Sequence, residues 1–186
     1  MVSNTVRVLI WVLFLAGGGL LGVALDLRLW PGWWSSLPWH AVSFLLGLAL
    51  LRLVVRISRV TGRWLARCGR QGDLPRMQTN RLVASGPYAC MRHPMHLGLM
   101  LFPFAFALLL GSPAFVFIIA PLEALLIALM VLTIEEREAR AKFGAEYAAY
   151  ASRVPPFNFS RDCLRRLLEE PPEQPDCTRD FVLTRG

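Results

Sequence analysis

The chain has 186 residues, of which 55% are hydrophobic, and it carries a formal net charge of +7. This apolar composition excludes an ordinary soluble domain, and the length fits one membrane domain. The positive charge does not indicate nucleic-acid binding, because the arginines are grouped beside apolar segments, as membrane topology requires.

Four apolar stretches are long enough, or nearly so, to cross a membrane as helices. They cover about 6–25, 39–57, 95–110 and 114–134, whereas a helix needs about 20 residues to span the hydrocarbon core. None alternates strictly, so helices are favoured over a barrel. The sequence therefore predicts an all-α polytopic membrane bundle of about four transmembrane helices, with a C-terminal cytoplasmic amphipathic helix. One alternative stays open, since Gly22-Val23-Ala24 resembles a signal-peptide cleavage site.

The distribution of arginine predicts the orientation of these helices. Seven arginines lie in 58–93, whereas the 26–38 connection has only Arg28 against Asp26, and the 111–113 connection has no charge. The positive-inside rule then places both termini and the 58–93 loop in the cytoplasm, in a multi-pass protein of a bacterial inner membrane. The four cysteines fall on that side, where a reducing compartment predicts free thiols. They are Cys68, Cys90, Cys163 and Cys177.

The second apolar stretch predicts a helix that continues beyond the membrane, from about 39 to 70. A stripe of arginines recurs along it at helical spacing, at positions 52, 56, 59, 63, 67 and 70. Such a stripe contacts anionic lipid headgroups or contributes directly to a site. Residues 71–92 follow as an irregular loop with a turn at Ser85-Gly86-Pro87.

Prolines and glycines set the elements that follow. Pro94 opens the third apolar helix, and Gly111-Ser112-Pro113 is a tight turn before the fourth. Glu123, next to Pro121, is either a packed, hydrogen-bonded carboxyl group or a functional one within the membrane.

The C-terminal part predicts two further helices. Residues 135–152 form one amphipathic helix, or two short ones broken at Gly144, and 161–170 form a surface helix before a mobile tail. We therefore assign 1–160 to the membrane domain and 161–186 to the surface helix and tail.

Two segments carry the residues suited to chemistry, RLVASGPYACMRHPMHLG at 81–98 and EEREARAKFGAEYAAY at 135–150. If the intervening helices form a hairpin, Arg92 and His93 lie at the same membrane face as the Glu135-Glu136 pair. The start of the third helix offers free N–H groups to an anion, and Gly98 permits close approach to its backbone. A ligand with a carboxylate, an ammonium and a ribose, such as S-adenosylmethionine, fits these groups. The alternative is a plain ion pair at headgroup depth.

The order of these motifs resembles that of a known family. SGPYACMRHPMHLG, followed about forty residues later by EEREARAKFGAEYAAYASRVP, is similar to the isoprenylcysteine carboxyl methyltransferase and phospholipid methyltransferase superfamily of integral membrane enzymes. The resemblance covers about 81–156. Each motif is weak alone, and their order and spacing together are specific.

The resemblance implies a membrane methyltransferase that binds S-adenosylmethionine. It implies that the start of the third helix contributes to cofactor binding, together with His93, His96, Gly98, Glu135, Glu136, Tyr147 and Tyr88. It also matches Arg153, in R-V-P, to an arginine of the carboxyl-methylating branch. His96 stands where the family usually has tyrosine, so the substrate is less certain than the cofactor.

Two acceptor classes follow from these residues, both lipid-like or prenylated molecules taken up among membrane lipids. Arg92 and Arg153 would orient a carboxylate of isoprenylcysteine type, which is the acceptor that we expect. A phospholipid or other lipid amine must instead lose a proton, and His96 or a glutamate would then be the base.

Other classes of function remain as alternatives. Cys90, His93 and His96 have a metal-like spacing but supply only three ligands, and we expect no metal. Haem ligation by His40 and His96 conflicts with the topology. A non-catalytic protein that keeps the fold is possible, and a nicotinamide-dependent reductase lacks a glycine-rich phosphate loop. The oligomeric state does not follow from the sequence.

Overall fold

A computed structural model describes residues 4–73 and 79–177, with side chains from residue 9 onward. These ranges contain seven α-helices and no strand. The helices are α1 (Asn4–Leu29), α2 (Pro31–Trp34), α3 (Leu37–Cys68), α4 (Pro94–Leu110), α5 (Ala120–Met130), α6 (Glu136–Ala151) and α7 (Arg161–Arg166). Two π-helical turns, Phe115–Ile119 and Val131–Glu135, make α5 and α6 parts of one helix, Phe115–Ala151.

Three of the described helices are long and apolar enough to cross a membrane. They are α1 from Leu9 to Leu29, the whole of α3, and Phe115–Ala151, while α4 is a shorter apolar helix. The prediction of an all-α membrane protein with about four membrane helices is confirmed. The chain is therefore an integral membrane protein.

Helix boundaries follow the predicted signals closely. α3 runs without a break to Cys68, as the arginine stripe indicated, and α4 begins at Pro94. In α6, Gly144 has φ 54° and ψ −126°, so the helix is kinked where a break was predicted. Part of the predicted 71–92 loop, residues 74–78, lies outside the described residues, as do residues 178–186 of the tail.

The described residues form two compact units. The first comprises those within Met1–Val54 and Leu99–Ala128, and the second those within Val55–Gly98 and Leu129–Gly186. Asp26 organises the first unit from a fully buried position: it accepts hydrogen bonds from Ser112 Oγ at 2.5 Å and from the Ala114 N–H at 2.7 Å. These bonds satisfy donors at the start of the helix after the 111–113 turn, as a capping carboxylate does.

Glu123 in the first unit is packed rather than solvated. Its side chain is buried, and one carboxyl oxygen lies 2.6 Å from the point where a Cβ on Gly18 would stand. Gly18 of α1 therefore makes the room that Glu123 occupies. This contact agrees with the packing interpretation of the residue, but the Glu123 Oε2 atom is buried without a hydrogen-bond partner among the described residues.

Two disulfides hold the second unit, which makes the expectation of free thiols wrong. Cys68 pairs with Cys177, and Cys90 pairs with Cys163. The partners lie 109 and 73 residues apart in the chain. Irregular spacing therefore gave no indication of pairs that only the folded chain brings together.

The arginine stripe of α3 has a role that neither interpretation of the sequence anticipated. Arg56 donates to the Leu168 carbonyl at 2.8 Å, and Arg67 donates to the Pro171 carbonyl at 2.9 Å. Arg63 forms an ion pair with Glu170 at 2.5 Å. Three of the six arginines thus fasten the segment after α7 to α3, close to the Cys68–Cys177 disulfide.

Candidate active site

The loop before α4 is shaped by a glycine that no other residue replaces easily. Gly86 has φ +60°, and a Cβ there would lie 2.3 Å from the Trp64 ring. The Gly86–Ala89 segment forms a 3₁₀ turn, in which the Tyr88 N–H donates to the Ser85 carbonyl at 3.1 Å. Gly86, in the Ser85-Gly86-Pro87 turn, therefore allows the loop to pack closely on α3.

The loop is held from the other side by α6 and the chain that follows it. The Tyr150 hydroxyl donates to the Tyr88 carbonyl at 2.6 Å. The N–H groups of Arg92 and His93 donate to the carbonyls of Pro155 and Pro156, at 3.0 and 3.2 Å. The prolines that end R-V-P and follow it thus support the site through their backbone.

A buried ionic cluster lies where this loop meets α6. Glu136 Oε1 is 2.8 Å from His93 Nε2 and 3.2 Å from Arg92 Nε, and its other oxygen is 3.9 Å from Arg140 Nη2. The Arg92, His93 and Glu136 side chains are each about a tenth exposed. The hairpin therefore brings one carboxylate against a guanidinium and an imidazole. All three groups are buried, where a charge without a partner is unfavourable.

Burial controls the protonation of His93. Loss of hydration lowers the pKa of His93, and this outweighs the opposite effect of its hydrogen bond to Glu136. Arg92 also lowers the pKa, and Glu135 raises it. His93 is thus a neutral imidazole at pH 7, and Nε2 is the nitrogen that donates to the carboxylate.

The lowered pKa of His93 predicts loss of stability in acid. The His93 side chain binds a proton more tightly in the unfolded chain than in the folded protein. Its contribution to the free energy of unfolding is therefore intact above a pH of about 6.5 and declines as the pH falls below that value. Chemical denaturation of the purified protein at pH 7.5 and 5.5, values chosen roughly one unit either side of that pKa, measures the decline. His93→Gln should make it smaller, and an equal decline in both proteins would contradict this account.

An aromatic cavity of about 180 Å³ adjoins the cluster on one side. Its lining includes Arg92 and His93 together with Tyr88, His96, Glu135, Phe143, Tyr147 and Tyr150. The Tyr88 hydroxyl is buried without a hydrogen-bond partner among the described residues, and the buried Tyr147 hydroxyl has the Glu136 carboxylate beside it. Since an unpaired buried hydroxyl is unfavourable, a polar ligand in this cavity would stabilise it.

Most of the predicted site residues line this cavity, and three do not: Glu136 lies in the adjoining ionic cluster, and Gly98 and Arg153 lie elsewhere. Gly98 packs on α3, where an added Cβ would lie 3.3 Å from Ile57 Cγ2. Arg153 is exposed, and its N–H donates to the Tyr150 carbonyl at 3.1 Å. Cys90 is committed to its disulfide, which removes the thiolate from the alternative metal cluster. His96 lies half-buried at an edge-to-face contact with His93, with ring centroids 5.5 Å apart.

The fold and the cluster together define a class of protein, an integral membrane protein with a buried Arg–His–Glu cluster beside an aromatic cavity. The comparisons supply the family. The family model described as phospholipid methyltransferase matches residues 39–146, more than half of the chain, and the protein belongs to that family. This confirms the resemblance to the wider superfamily of isoprenylcysteine carboxyl and phospholipid methyltransferases. No curated protein and no solved structure matches the chain.

The family match makes a membrane methyltransferase with lipid-like substrates the class of activity supported here. Methyltransferases of this family generally use S-adenosylmethionine. The match ends at residue 146, so Tyr147 and Arg153 lie beyond it.

Proposed function

We propose that the protein transfers a methyl group from S-adenosylmethionine to a membrane-embedded, lipid-like acceptor. The buried cluster of Arg92, His93 and Glu136 beside the aromatic cavity carries this proposal. The cluster supplies both signs of charge to a zwitterionic ligand, and the adjoining aromatic side chains supply stacking faces for a base.

The residues present fit that cofactor. Glu135 and Glu136 would accept from its ammonium or its ribose hydroxyls, and Arg92 would pair with its carboxylate. The Tyr88 hydroxyl would gain the hydrogen-bond partner that it lacks among the described residues. When bound, the cofactor would supply an electrophilic methyl group, and the chain's main tasks would be to orient the acceptor and exclude water.

Cofactor binding tests the proposal directly. Titration calorimetry on the purified protein in detergent should show binding of S-adenosylmethionine. His93→Ala and Glu135→Ala should each weaken it about tenfold or more, because a charge-assisted hydrogen bond at a partly buried site contributes roughly 1.5–3 kcal/mol. Well-folded wild-type protein that does not bind the cofactor would end this proposal.

The acceptor can belong to either of two chemical classes, an amine or a carboxylate. We put a lipid amine first, because the family match is to phospholipid methyltransferases and because Arg153 lies on the surface rather than in the cavity lining. A carboxylate of isoprenylcysteine type is the second candidate, favoured by the R-V-P motif. For an amine, a base such as His96 would take the proton from the nitrogen. The nitrogen lone pair would then be free to accept the methyl group that the bound cofactor would supply, with the sulfur as the leaving group.

We also propose that the site faces the cytoplasm, as the arginine distribution predicts. Labelling of single introduced cysteines in intact cells, in an otherwise cysteine-free background, tests this orientation. Trp33→Cys should react with an impermeant reagent, and Asn80→Cys should not. The reverse result would place the site, and both disulfides, on the outer face.

A further inference from the structure

A second, more open cavity adjoins the cluster on the Arg140 side. It measures about 360 Å³ and is lined by Arg92, Leu132, Thr133, Glu136, Arg137 and Arg140. It shares only Arg92 with the lining of the aromatic cavity, and Glu136 lines the second cavity alone. Arg92 therefore lies between two spaces of different chemistry.

The second cavity is strongly basic. Three guanidinium groups face one carboxylate there, so its lining has a formal charge of +2. Glu136 is already engaged by Arg92 and His93, and Arg140 reaches it only at 3.9 Å. Arg137 has no ion-pair partner among the described residues. Two guanidinium groups are thus available to an anion, and their planar donors suit phosphate oxygens.

The same cavity begins where the apolar part of the helix ends. Leu132 and Thr133 lie one helical turn before Glu136 and Arg137, and the side chain of Leu132 is 45% exposed. Leu129, one turn earlier, is 50% exposed. An acyl chain can follow these leucines while its headgroup remains beside the arginines. This continuity favours a lipid over a free phosphate ion.

We propose that Arg137 and Arg140 form a subsite for the phosphodiester of the acceptor lipid, with the acyl chains along Leu129 and Leu132. The inference rests on the proposed function and deepens it. A phosphodiester keeps its charge throughout the reaction, so the arginines hold the lipid before and after methyl transfer. An amine two carbons beyond the phosphate then reaches toward the Arg92–Glu136 pair and the cofactor cavity.

Lipid retention by the purified protein tests the subsite without requiring turnover. Native mass spectrometry compares a diacyl phosphoethanolamine lipid with diacylglycerol of the same chains and with inorganic phosphate alone. Wild type should retain the phosphodiester lipid in preference to the other two. Arg137→Gln/Arg140→Gln should weaken that retention about tenfold, since two charge-assisted contacts are lost. The matched control, Arg161→Gln/Arg165→Gln on α7, removes the same charge from exposed positions outside the cavity and should retain the lipid as wild type does.

The outcomes separate the two proposals. Equal retention of phosphodiester lipid and diacylglycerol, equal loss in both double variants, or binding of inorganic phosphate as tight as that of the lipid would overturn the lipid subsite. Phosphodiester selectivity without any S-adenosylmethionine binding would overturn the proposed function and leave the subsite. If the double variant does not fold, Arg137→Gln alone provides the same comparison, because Arg137 is exposed.

Discussion

Glu136→Ala is expected to damage both the stability of the site and its affinity for the cofactor. The change leaves the buried Arg92 guanidinium without its carboxylate and removes the acceptor for His93. Breaking a buried ion pair from one side costs roughly 3–5 kcal/mol. We expect a loss of that size in the free energy of unfolding, and cofactor binding weakened by about tenfold or more.

A double-mutant cycle with Arg92→Met identifies the cause of that loss. If an unpaired buried charge is responsible, the double variant should be more stable than Glu136→Ala alone, because it contains no such charge. Glu146→Ala, at an exposed position on the same helix, is the control and should change stability by about 0.5 kcal/mol or less. Additive losses in the cycle would show that Arg92 and Glu136 act independently.

The sequence predicts the approach of His93 to Glu136, because the topology of the membrane helices requires it. Two apolar helices joined by the short Gly111-Ser112-Pro113 turn must return the chain to the face from which it started. His93 and Glu136 are 43 residues apart and still meet at 2.8 Å. The fold class follows for the same reason, since backbone groups in a bilayer must be satisfied within helices.

The contacts that the sequence does not predict join segments far apart in the chain. The periodicity of a helix does not indicate which distant segment will pack against it. The arginine stripe of α3 was correctly placed on one side of a helix, but nothing in it indicates that Leu168, Glu170 and Pro171 are its partners. The disulfide pairs do not follow from the sequence, because the spacing of the four cysteines is uninformative and the predicted compartment favours free thiols. Nothing in the sequence distinguishes Arg137 and Arg140 from other surface arginines, because the cavity that they line exists only in the folded chain.

Gly98 and Arg153 show that a motif match does not by itself identify the role of a residue. Both match motif positions, yet Gly98 serves helix packing against Ile57, and Arg153 lies on the surface. A motif fixes the type of residue at a position and leaves open whether the side chain or the backbone is required. In this segment the backbone carbonyls of Pro155 and Pro156 accept the described hydrogen bonds from the N–H groups of Arg92 and His93. This is why the acceptor class needs an experiment on Arg153 itself.

Replacement of His96 and Arg153 is expected to separate the two acceptor classes. If the acceptor is an amine, His96→Phe should remove the rising limb that deprotonation of the base gives to the pH–rate profile, and it should lower kcat by roughly 10²–10⁴-fold, the usual contribution of a general base. Arg153→Ala should then have little effect. His96 lines the cavity beside His93, so its ring is placed where such a base is needed.

A carboxylate acceptor predicts the opposite pattern, because it needs a cation to orient it and no base. Arg153→Ala should then raise KM or lower kcat while the calorimetric affinity for S-adenosylmethionine stays near that of wild type. His96→Tyr, which restores the usual family residue, should be tolerated. Full activity of Arg153→Ala on every carboxylate acceptor would exclude the carboxyl-methylating assignment. An unchanged pH–rate profile in His96→Phe would exclude His96 as the base. The cofactor proposal survives either result, because it rests on Arg92, His93 and Glu136.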